Sequence, residues 1–476
     1  MPLLFAVEEH VLLAREMVEH RHASDVGCFR DLVDRHLVEA ALHEQARGNV
    51  GNCLACRQAL AGSSIQNSIL HGLRTYIYPV HVWGSSTLGT FSMTSSTIKP
   101  APIEARNQAV LVSGASFAGL ASAYWLNRLG YRVTVVEVAK GLRRGGTPVD
   151  IEGETIDILA RMGLADAVRA KALPPRRFEF KNEAGMTLGT VGDDQPGNER
   201  YEIHRDDLLD ILFGGVASDV ELLFGRSIDR LEEGADAVSA TFNDGERRDF
   251  ALVFGCDGNR SNTRKLLFGD GEQFTYFMGG YFFLKVVAQT GLLSANVSEV
   301  FSPPGRMAML NGYDDRTDIG FGFRTEGEID YDYRDRAQQR RLIHERFDKL
   351  GWKVPAMLAA TSGDDDFYFD RINQIRMPSW SRGRATLVGD AGYCVSPLAG
   401  FGGSMAIIGA GRLAAALEQH SADHAAAFRH YEDGLRSFVE EVQERAASEG
   451  MSMMCPADEL ELAERDQKFA AGDIGF

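Results

Sequence analysis

The sequence predicts an α/β fold in which a parallel sheet carries an inserted, mostly antiparallel sheet and is followed by C-terminal helices. An apolar run at 109–113, a helical segment at 118–129 and a strand-like run at 132–137 alternate as in a parallel sheet. Between residues 275 and 325, aromatic and β-branched runs such as YFFLKVV and IGFGF are broken by turns and indicate antiparallel strands. Residues 404–448 are rich in alanine, which favours helix.

The N-terminal part of the chain differs in composition from the rest. We interpret residues 1–92 as a helical extension and residues 93–106, which are rich in serine, threonine, glycine and proline, as a linker. Met93 lies in this linker, so translation from it would remove the whole extension. The role of the extension is left open.

Cysteines and histidines in the extension permit a zinc site as an alternative. Cys53 and Cys56 form one CxxC, preceded by Cys28, His36 and His43. Structural zinc sites use four ligands at regular spacing, and this segment has no second pair. We therefore expect no metal, and interpret these cysteines as incidental.

The overall composition excludes several classes of protein. The formal net charge of −17 over 476 residues argues against nucleic acid or an anionic membrane as the main partner. Six cysteines are too few for a disulfide framework, and neither a signal peptide nor an apolar run long enough for a membrane span is present. We expect a cytoplasmic protein that is a monomer or a weak dimer.

A glycine-rich turn follows the first strand. Gly114, Ser116 and Gly119 stand where a dinucleotide fingerprint has its three glycines, and the helix that follows offers free amides to a pyrophosphate. Glu137 ends the next strand, where a carboxylate can accept hydrogen bonds from ribose hydroxyls. A βα turn that binds no ligand remains the alternative for this motif alone.

Two later segments also run from an apolar strand into a polar loop. The first contains Asp257 and Gly258, and the second contains Asp390 followed by Pro397, Gly400 and Gly402. Ligands of open α/β sheets bind at such strand ends, so the three segments together predict one extended nucleotide site.

With these three motifs in this order, the chain resembles the class A flavoprotein monooxygenases, the para-hydroxybenzoate hydroxylase-like group. The likeness covers residues 107–445 and is strongest to tetracycline-inactivating and related antibiotic- or polyketide-modifying enzymes. It implies a Rossmann-like FAD-binding domain of the GR2 type and an inserted substrate-binding domain. The expected boundaries are 107–176, 199–270 and 381–445 for the FAD-binding domain, 177–198 and 271–380 for the substrate-binding domain, and 446–476 for a C-terminal tail.

The resemblance also implies roles for single residues. Asp150, Arg205 and Asp390 are expected to contact FAD, and Arg143 and Arg144 to meet the phosphates of NADPH or NADH. Taken without the resemblance, Arg143 and Arg144 would be a surface cation pair and Arg205 an exposed arginine at a helix start. The chain departs from the family pattern at three positions, Ser116, Val138 and Ser404, where the family has glycine, arginine and asparagine.

No catalytic arrangement of side chains is evident in the sequence, and we assign no catalytic residue, because in flavin enzymes the cofactor carries the difficult step. The resemblance implies that NAD(P)H reduces the flavin and that the C4a-hydroperoxide formed with O2 hydroxylates an aromatic, polyketide or antibiotic-like molecule. The expected pocket residues are Phe282, Met307, Phe321 and Tyr393, some of which alternation would turn into the core. Tyr393 replaces a histidine of the tetracycline-modifying relatives, which argues against tetracycline itself.

Two other functions remain compatible with the sequence. One is an FAD-dependent dehydrogenase or reductase on the same fold, and the other is a flavin-binding protein without catalysis. Oxidation of NAD(P)H that depends on a substrate separates both from a monooxygenase.

Overall fold

The computed structural model describes residues 107–470 apart from 193–199, 289, 364–365 and 422. The predicted N-terminal extension, its cysteines and the linker therefore lie outside the described residues. The strands are β1 (Ala109–Ser113), β2 (Arg132–Glu137), β3 (Val149–Glu152), β4 (Arg177–Lys181), β5 (Thr187–Gly192), β6 (Arg200–Ile203), β7 (Glu221–Phe224), β8 (Ile228–Glu233), β9 (Val238–Phe242), β10 (Arg247–Phe250), β11 (Leu252–Gly255), β12 (Thr275–Ala288), β13 (Val297–Phe301), β14 (Arg306–Gly312), β15 (Arg316–Arg324), β16 (Tyr368–Ile375), β17 (Ser381–Arg382) and β18 (Ala385–Leu387). The helices are α1 (Phe117–Arg128), α2 (Glu154–Arg161), α3 (Ala165–Arg169), α4 (Arg205–Gly214), α5 (Asn262–Phe268), α6 (Arg336–Phe347), α7 (Val354–Ala360), α8 (Asp390–Tyr393), α9 (Gly402–Gln419), α10 (His424–Met454) and α11 (Glu459–Ala470).

A parallel sheet forms the centre of the fold, as predicted. Its strand order is β17-β18-β11-β1-β2-β7, and all neighbours are parallel except the edge strand β17. The residues of β11 are all buried, as expected for a strand covered on both faces. Helices α1 and α9 pack on one face, and the small antiparallel sheet β10-β9-β8 packs on the other. This small sheet was not predicted.

The second large sheet is the predicted antiparallel insertion. Its order is β16-β12-β15-β14-β13-β4-β5, and among these neighbours only β13 and β4 run parallel. Strands β4 and β5 join this sheet although they precede β6 to β11 in the chain. One face packs against α6 and α7 through fully buried aromatic side chains.

The C-terminal helices cover the parallel sheet and reach the second sheet. Helix α10 contacts α9 and β12, and α11 contacts β5. Helix α10 continues through the boundary expected near residue 446, because Ala446, Met451 and Met453 are buried and extend its packed face. Among the described residues, no helix is long and apolar enough to cross a membrane.

Candidate functional site

The three polar turns predicted to form one site lie against one another at the carboxyl edge of the parallel sheet. Gly114 has a φ of +106°, and a Cβ placed on it would lie 2.5 Å from the carbonyl oxygen of Cys256. Gly389 has a φ of +67°, and a Cβ there would lie 3.1 Å from the Cβ of Ala118. The turns after β1, β11 and β18 are therefore in contact, and the predicted convergence is confirmed.

The first turn has the packing that a dinucleotide fingerprint requires. A Cβ on Gly119 would lie 1.9 Å from the carbonyl oxygen of Gly114, so only glycine lets α1 approach the strand this closely. Ser116 is the N-cap of α1, yet its side chain makes no capping hydrogen bond. The first-turn amides of α1 consequently remain available to an anion.

Glu137 is the last residue of β2, the strand that pairs with β1. Its carboxylate accepts hydrogen bonds from the amides of Ala115 and Ala139, both at 2.9 Å. The next residue, Val138, is 66% exposed, which is unusual for a branched apolar side chain. The Glu137 carboxylate lies beside the first turn and suits the ribose of a nucleotide. The exposed apolar side chain of Val138 suits its base.

Asp257 and Asp390 hold their carboxylates differently. Asp257 accepts hydrogen bonds from the amide and hydroxyl of Thr263, at 2.8 and 2.9 Å, and from the hydroxyl of Ser261, and so caps the start of α5. Asp390 begins α8 with its carboxylate beside the thiol of Cys394, which donates to the carbonyl oxygen of Asn373 at 3.8 Å. Burial raises the pKa of Asp390, while the positive charges of Arg205 and Arg264 oppose the shift.

Arg264, which was not predicted as a site residue, links the second and third turns. Its guanidinium donates to the carbonyl oxygens of Ala391 at 2.8 Å and Asn259 at 2.6 Å, and the residue is 2% exposed. The sequence showed only that Arg264 follows a glycine-rich loop. It did not indicate the contact with Ala391 of α8, because the two residues are 127 positions apart.

Arg205 ties the first turn to the loop that carries Arg143. It donates to the carbonyl oxygens of Arg143 at 2.9 Å and Gly145 at 3.3 Å, and to the hydroxyl of Ser116 at 3.2 Å. Burial lowers the pKa of this guanidinium. Arg205 therefore lies at the fingerprint and is not simply an exposed arginine at a helix start.

The loop between α8 and α9 provides the other end of the site. Ser396 has a φ of +88° and Gly400 a φ of +64°, so the chain turns sharply on both sides of Pro397 before α9 begins at Gly402. The hydroxyl of Ser404 in α9 donates to the carbonyl oxygen of Asp150 at 2.7 Å. This bond fixes β3 beside the first turn of α9.

Asp150, Arg143 and Arg144 lie at the rim of this arrangement. The carboxylate of Asp150 pairs with Arg200 on the neighbouring strand, with 2.9 Å between Nη2 and Oδ2. Both Arg143 and Arg144 are exposed. Arg144 makes a bidentate pair with Asp210 at 2.7 and 2.9 Å.

The four predicted pocket residues do not lie together. Phe282 and Met307 belong to one apolar cluster with Leu398, beside the Pro397 loop. Phe321 is fully buried on the opposite face of the sheet against Phe347, because neighbouring residues of a strand point to opposite faces.

Tyr393 also departs from the expectation. It is 1% exposed, packs on Trp380 and shares a hydrogen bond of 2.7 Å with the hydroxyl of Tyr431. It borders a separate cavity of about 450 Å³ that shares no residue with the cluster of Phe282 and Met307. Phe321 and Tyr393 are therefore buried apart from Phe282 and Met307, and the substrate-pocket role of the four residues stays a prediction.

Known proteins are similar to this chain in sequence and in fold. The family described as "FAD binding domain" matches residues 107–446. A flavin-dependent monooxygenase from an unknown prokaryotic organism is 34% identical over 376 residues, which cover 76% of this chain and 95% of the relative. A flavin-dependent monooxygenase from Legionella longbeachae is 33% identical over 341 residues, covering 70% and 87% of the two chains. The crystal structure of the tetracycline destructase Tet(51) is 31% identical with a TM-score of 0.68, covering 77% of this chain and 96% of that one.

Proposed function

The chain belongs to the FAD binding domain family of flavin-dependent monooxygenases, and on that premise we propose that it hydroxylates an aromatic, polyketide or antibiotic-like molecule with NAD(P)H and O2. The observation that carries the proposal is the contact among the turns that hold Gly114, Asp257 and Asp390. One extended cofactor can reach all three, because parallel neighbours end at the same edge of the sheet.

The residues at this edge fit FAD. A Cβ placed on Gly258, Gly400 or Gly402 would meet no atom within 4 Å, so the main chain at these turns is open to a ligand. The site also combines hydrogen-bond acceptors for hydroxyls with two helix N-termini, at α1 and α9, for groups that carry negative charge.

We assign the adenosine diphosphate half to the first turn. The amides that follow Ser116 would bind the pyrophosphate, and Glu137 would exchange its bond to Ala115 for one to a ribose hydroxyl. Arg205 would stabilise the same end, because its guanidinium already reaches the Ser116 hydroxyl. Val138 would contact the adenine through an apolar surface.

We assign the flavin half to the third turn. Asp390 would accept hydrogen bonds from the ribityl hydroxyls, and the N-terminus of α9 would stabilise negative charge on the ring system, which would lie beside Pro397. When bound, FAD supplies the redox chemistry, namely electron uptake from NAD(P)H and activation of oxygen. The protein contributes binding, orientation and exclusion of water.

For NAD(P)H, the support comes from two exposed arginines at the rim. Arg144 is already paired with Asp210, so Arg143 is the better candidate for a phosphate of a transient co-substrate. We expect Arg143→Met to raise the KM for NADPH roughly tenfold, as loss of one charge-assisted contact would. Arg144→Met is the matched variant and should raise KM less; equal effects would contradict this assignment.

The function is tested on the purified protein. We expect a yellow protein with a flavin spectrum, whose NADPH and oxygen consumption rises with members of a panel of phenols and polyketides. The product should be heavier by one oxygen atom. A colourless protein would exclude the proposal, and NADPH oxidation that depends on substrate but adds no oxygen would favour a reductase.

A further inference from the structure

An apolar cluster rich in methionine lies between the second sheet and the Pro397 loop. Five of the fourteen methionines in the sequence belong to it. We call it the methionine cluster, and its members are Met278, Phe282, Val300, Met307, Met309, Ile372, Leu398, Met451, Met454 and Cys455. It joins four strands of the sheet to the end of α10 and to the proposed flavin site.

The sheet has no side chains of its own at two positions under this cluster. Gly320 pairs with Met309, and Gly322 pairs with both Met307 and Phe282, so these residues share one face. Phe321 and Phe323 of the same strand point to the other face, where both are buried among aromatic residues. The face of β15 toward the proposed flavin site therefore has no side chains at these two positions, whereas the opposite face is densely packed.

The terminal methyl groups of methionine side chains fill the space above these glycines. A Cβ on Gly320 would lie 3.1 Å from the Cε of Met309 and 3.6 Å from the ring of Phe282. A Cβ on Gly322 would lie 3.1 Å from the Cε of Met454 and 3.3 Å from the Sγ of Cys455. Methionine is unbranched and rotates freely, so such a filling can move aside at low cost.

The cluster is continuous with both the proposed flavin site and the surface. Leu398 follows Pro397 directly, and a Cβ on Gly450 of α10 would lie 2.8 Å from the Cβ of Leu398. A cavity of about 280 Å³ borders the cluster at Met278 and Met451 and is lined at its outer side by Arg324 and Glu461, which form an ion pair at 2.9 Å. This volume is just below the range of about 300–1,000 Å³ that ligand pockets occupy, so a sizeable ligand needs additional space.

We propose that the space above Gly320 and Gly322 is a collapsible substrate chamber, which Met309 and Met454 fill and from which a flat, apolar polycyclic molecule displaces them. The bare strand accepts the face of such a ring, and thioether sulfurs make favourable contacts with aromatic edges. The ten apolar side chains of the cluster offer contact surface to a ring system. This inference rests on the proposed function for the identity of the site.

The test is equilibrium binding of 1,8-dihydroxyanthraquinone to the FAD-loaded protein without NADPH, followed by the fluorescence of the anthraquinone. Gly320→Ala adds a methyl group where the ring would lie beside the displaced Met309, and we expect it to weaken binding roughly tenfold. Met309→Ala leaves free space into which the ring can shift away from this methyl group. The loss in binding free energy caused by Gly320→Ala should therefore be less than half as large in the Met309→Ala background. Gly327→Ala, at a glycine with no atom within 4 Å of its Cβ position, is the matched control and should leave binding unchanged.

Flavin content and thermal midpoint are measured for each variant to identify folding defects. If Gly320→Ala fails to fold, Met309→Leu replaces it, because leucine keeps the volume but is branched, and it should also weaken binding. The chamber is refuted if Gly320→Ala leaves binding unchanged, if its penalty is the same in both backgrounds, or if uric acid binds and the anthraquinone does not. Binding that follows the expected pattern without oxygen transfer to any substrate would retain the chamber and exclude the proposed monooxygenase reaction.

Discussion

The carboxylates of Asp257 and Asp390, each in a turn after a strand of the parallel sheet, have different hydrogen-bonding environments. Asp257 directs both oxygens into its own loop, whereas the carboxylate of Asp390 lies beside the Cys394 thiol, and burial disfavours its charge. A buried carboxylate of this kind gains most when a ligand supplies hydroxyl groups.

We expect Asp390→Ala to weaken FAD binding roughly 10- to 100-fold, because it removes the carboxylate that we propose as the partner of the ribityl hydroxyls. The ratio of flavin to protein after gel filtration measures the effect. Asp433→Ala, an exposed position on α10, is the control and should retain its flavin. Stoichiometric flavin in Asp390→Ala would contradict the assignment.

Asp318 offers a pH test of folding. It is 1% exposed on β15, and burial raises its pKa to about 7, although the positive charge of Arg176 opposes the shift. Between pH 4 and 7 the unfolded chain has released this proton and the folded chain keeps it. The free energy of unfolding should therefore fall as pH rises through this window, by about 4 kcal/mol at most.

Asp318→Asn should remove the contribution of Asp318 to this slope, and urea unfolding at several pH values measures it. Asp315 is the matched control, because its pair with Arg316 lowers its pKa and its effect lies below pH 4. The slope between pH 4 and 7 should persist in Asp315→Asn. A wild-type protein without the slope would show that Asp318 ionises normally.

Among the elements, α5 shows how a motif serves structure as well as ligand binding. Its N-cap Ser261 and the carboxylate of Asp257 together satisfy first-turn amides, and Arg264 on its first turn reaches α8. The helix thereby holds two of the three turns in fixed positions.

We expect Asp257→Ala to lower the free energy of unfolding by about 1–2 kcal/mol, the usual loss for an N-terminal capping side chain. The folded fraction should bind FAD with an affinity within about threefold of the original, an estimate that assumes the cap and the ligand site are nearly independent. Urea unfolding of the apoprotein and flavin titration separate the two effects. A loss of FAD as large as that in Asp390→Ala would instead give Asp257 a direct contact.

At the scale of the whole molecule, the packing of helices on the parallel sheet indicates which part of the chain is needed for folding. All strands of the parallel sheet lie between residues 109 and 387, and α9 and α10 complete its core. The segment that matches the FAD binding domain family also begins at residue 107.

We accordingly expect a chain that begins at Met93 to fold and bind FAD like the full chain. The thermal midpoint and the flavin content of the two chains should agree within error, because every strand partner of β1 is retained. Loss of flavin from the shorter chain would assign the first 92 residues a structural role.

The three turns could be predicted from the sequence because the pattern of each one is local, namely a strand followed by glycine and a polar residue. Their convergence could be predicted because parallel strands end at the same edge of a sheet. It did not reveal that Phe321 faces the core, because the phase of alternation in β15 depends on its pairing with β12 and β14. The hydrogen bonds of Tyr393 to Tyr431 and of Arg264 to Ala391 were likewise not predicted, because these partners are distant in sequence.

The alternation along β15 gives the two faces of one strand different neighbours. In the proposed chamber, substitutions at 320 and 322 would alter what the enzyme admits, while 321 and 323 maintain the aromatic core behind it. Exchanging every second residue of this single strand would then change the substrate without rebuilding the scaffold that supports it.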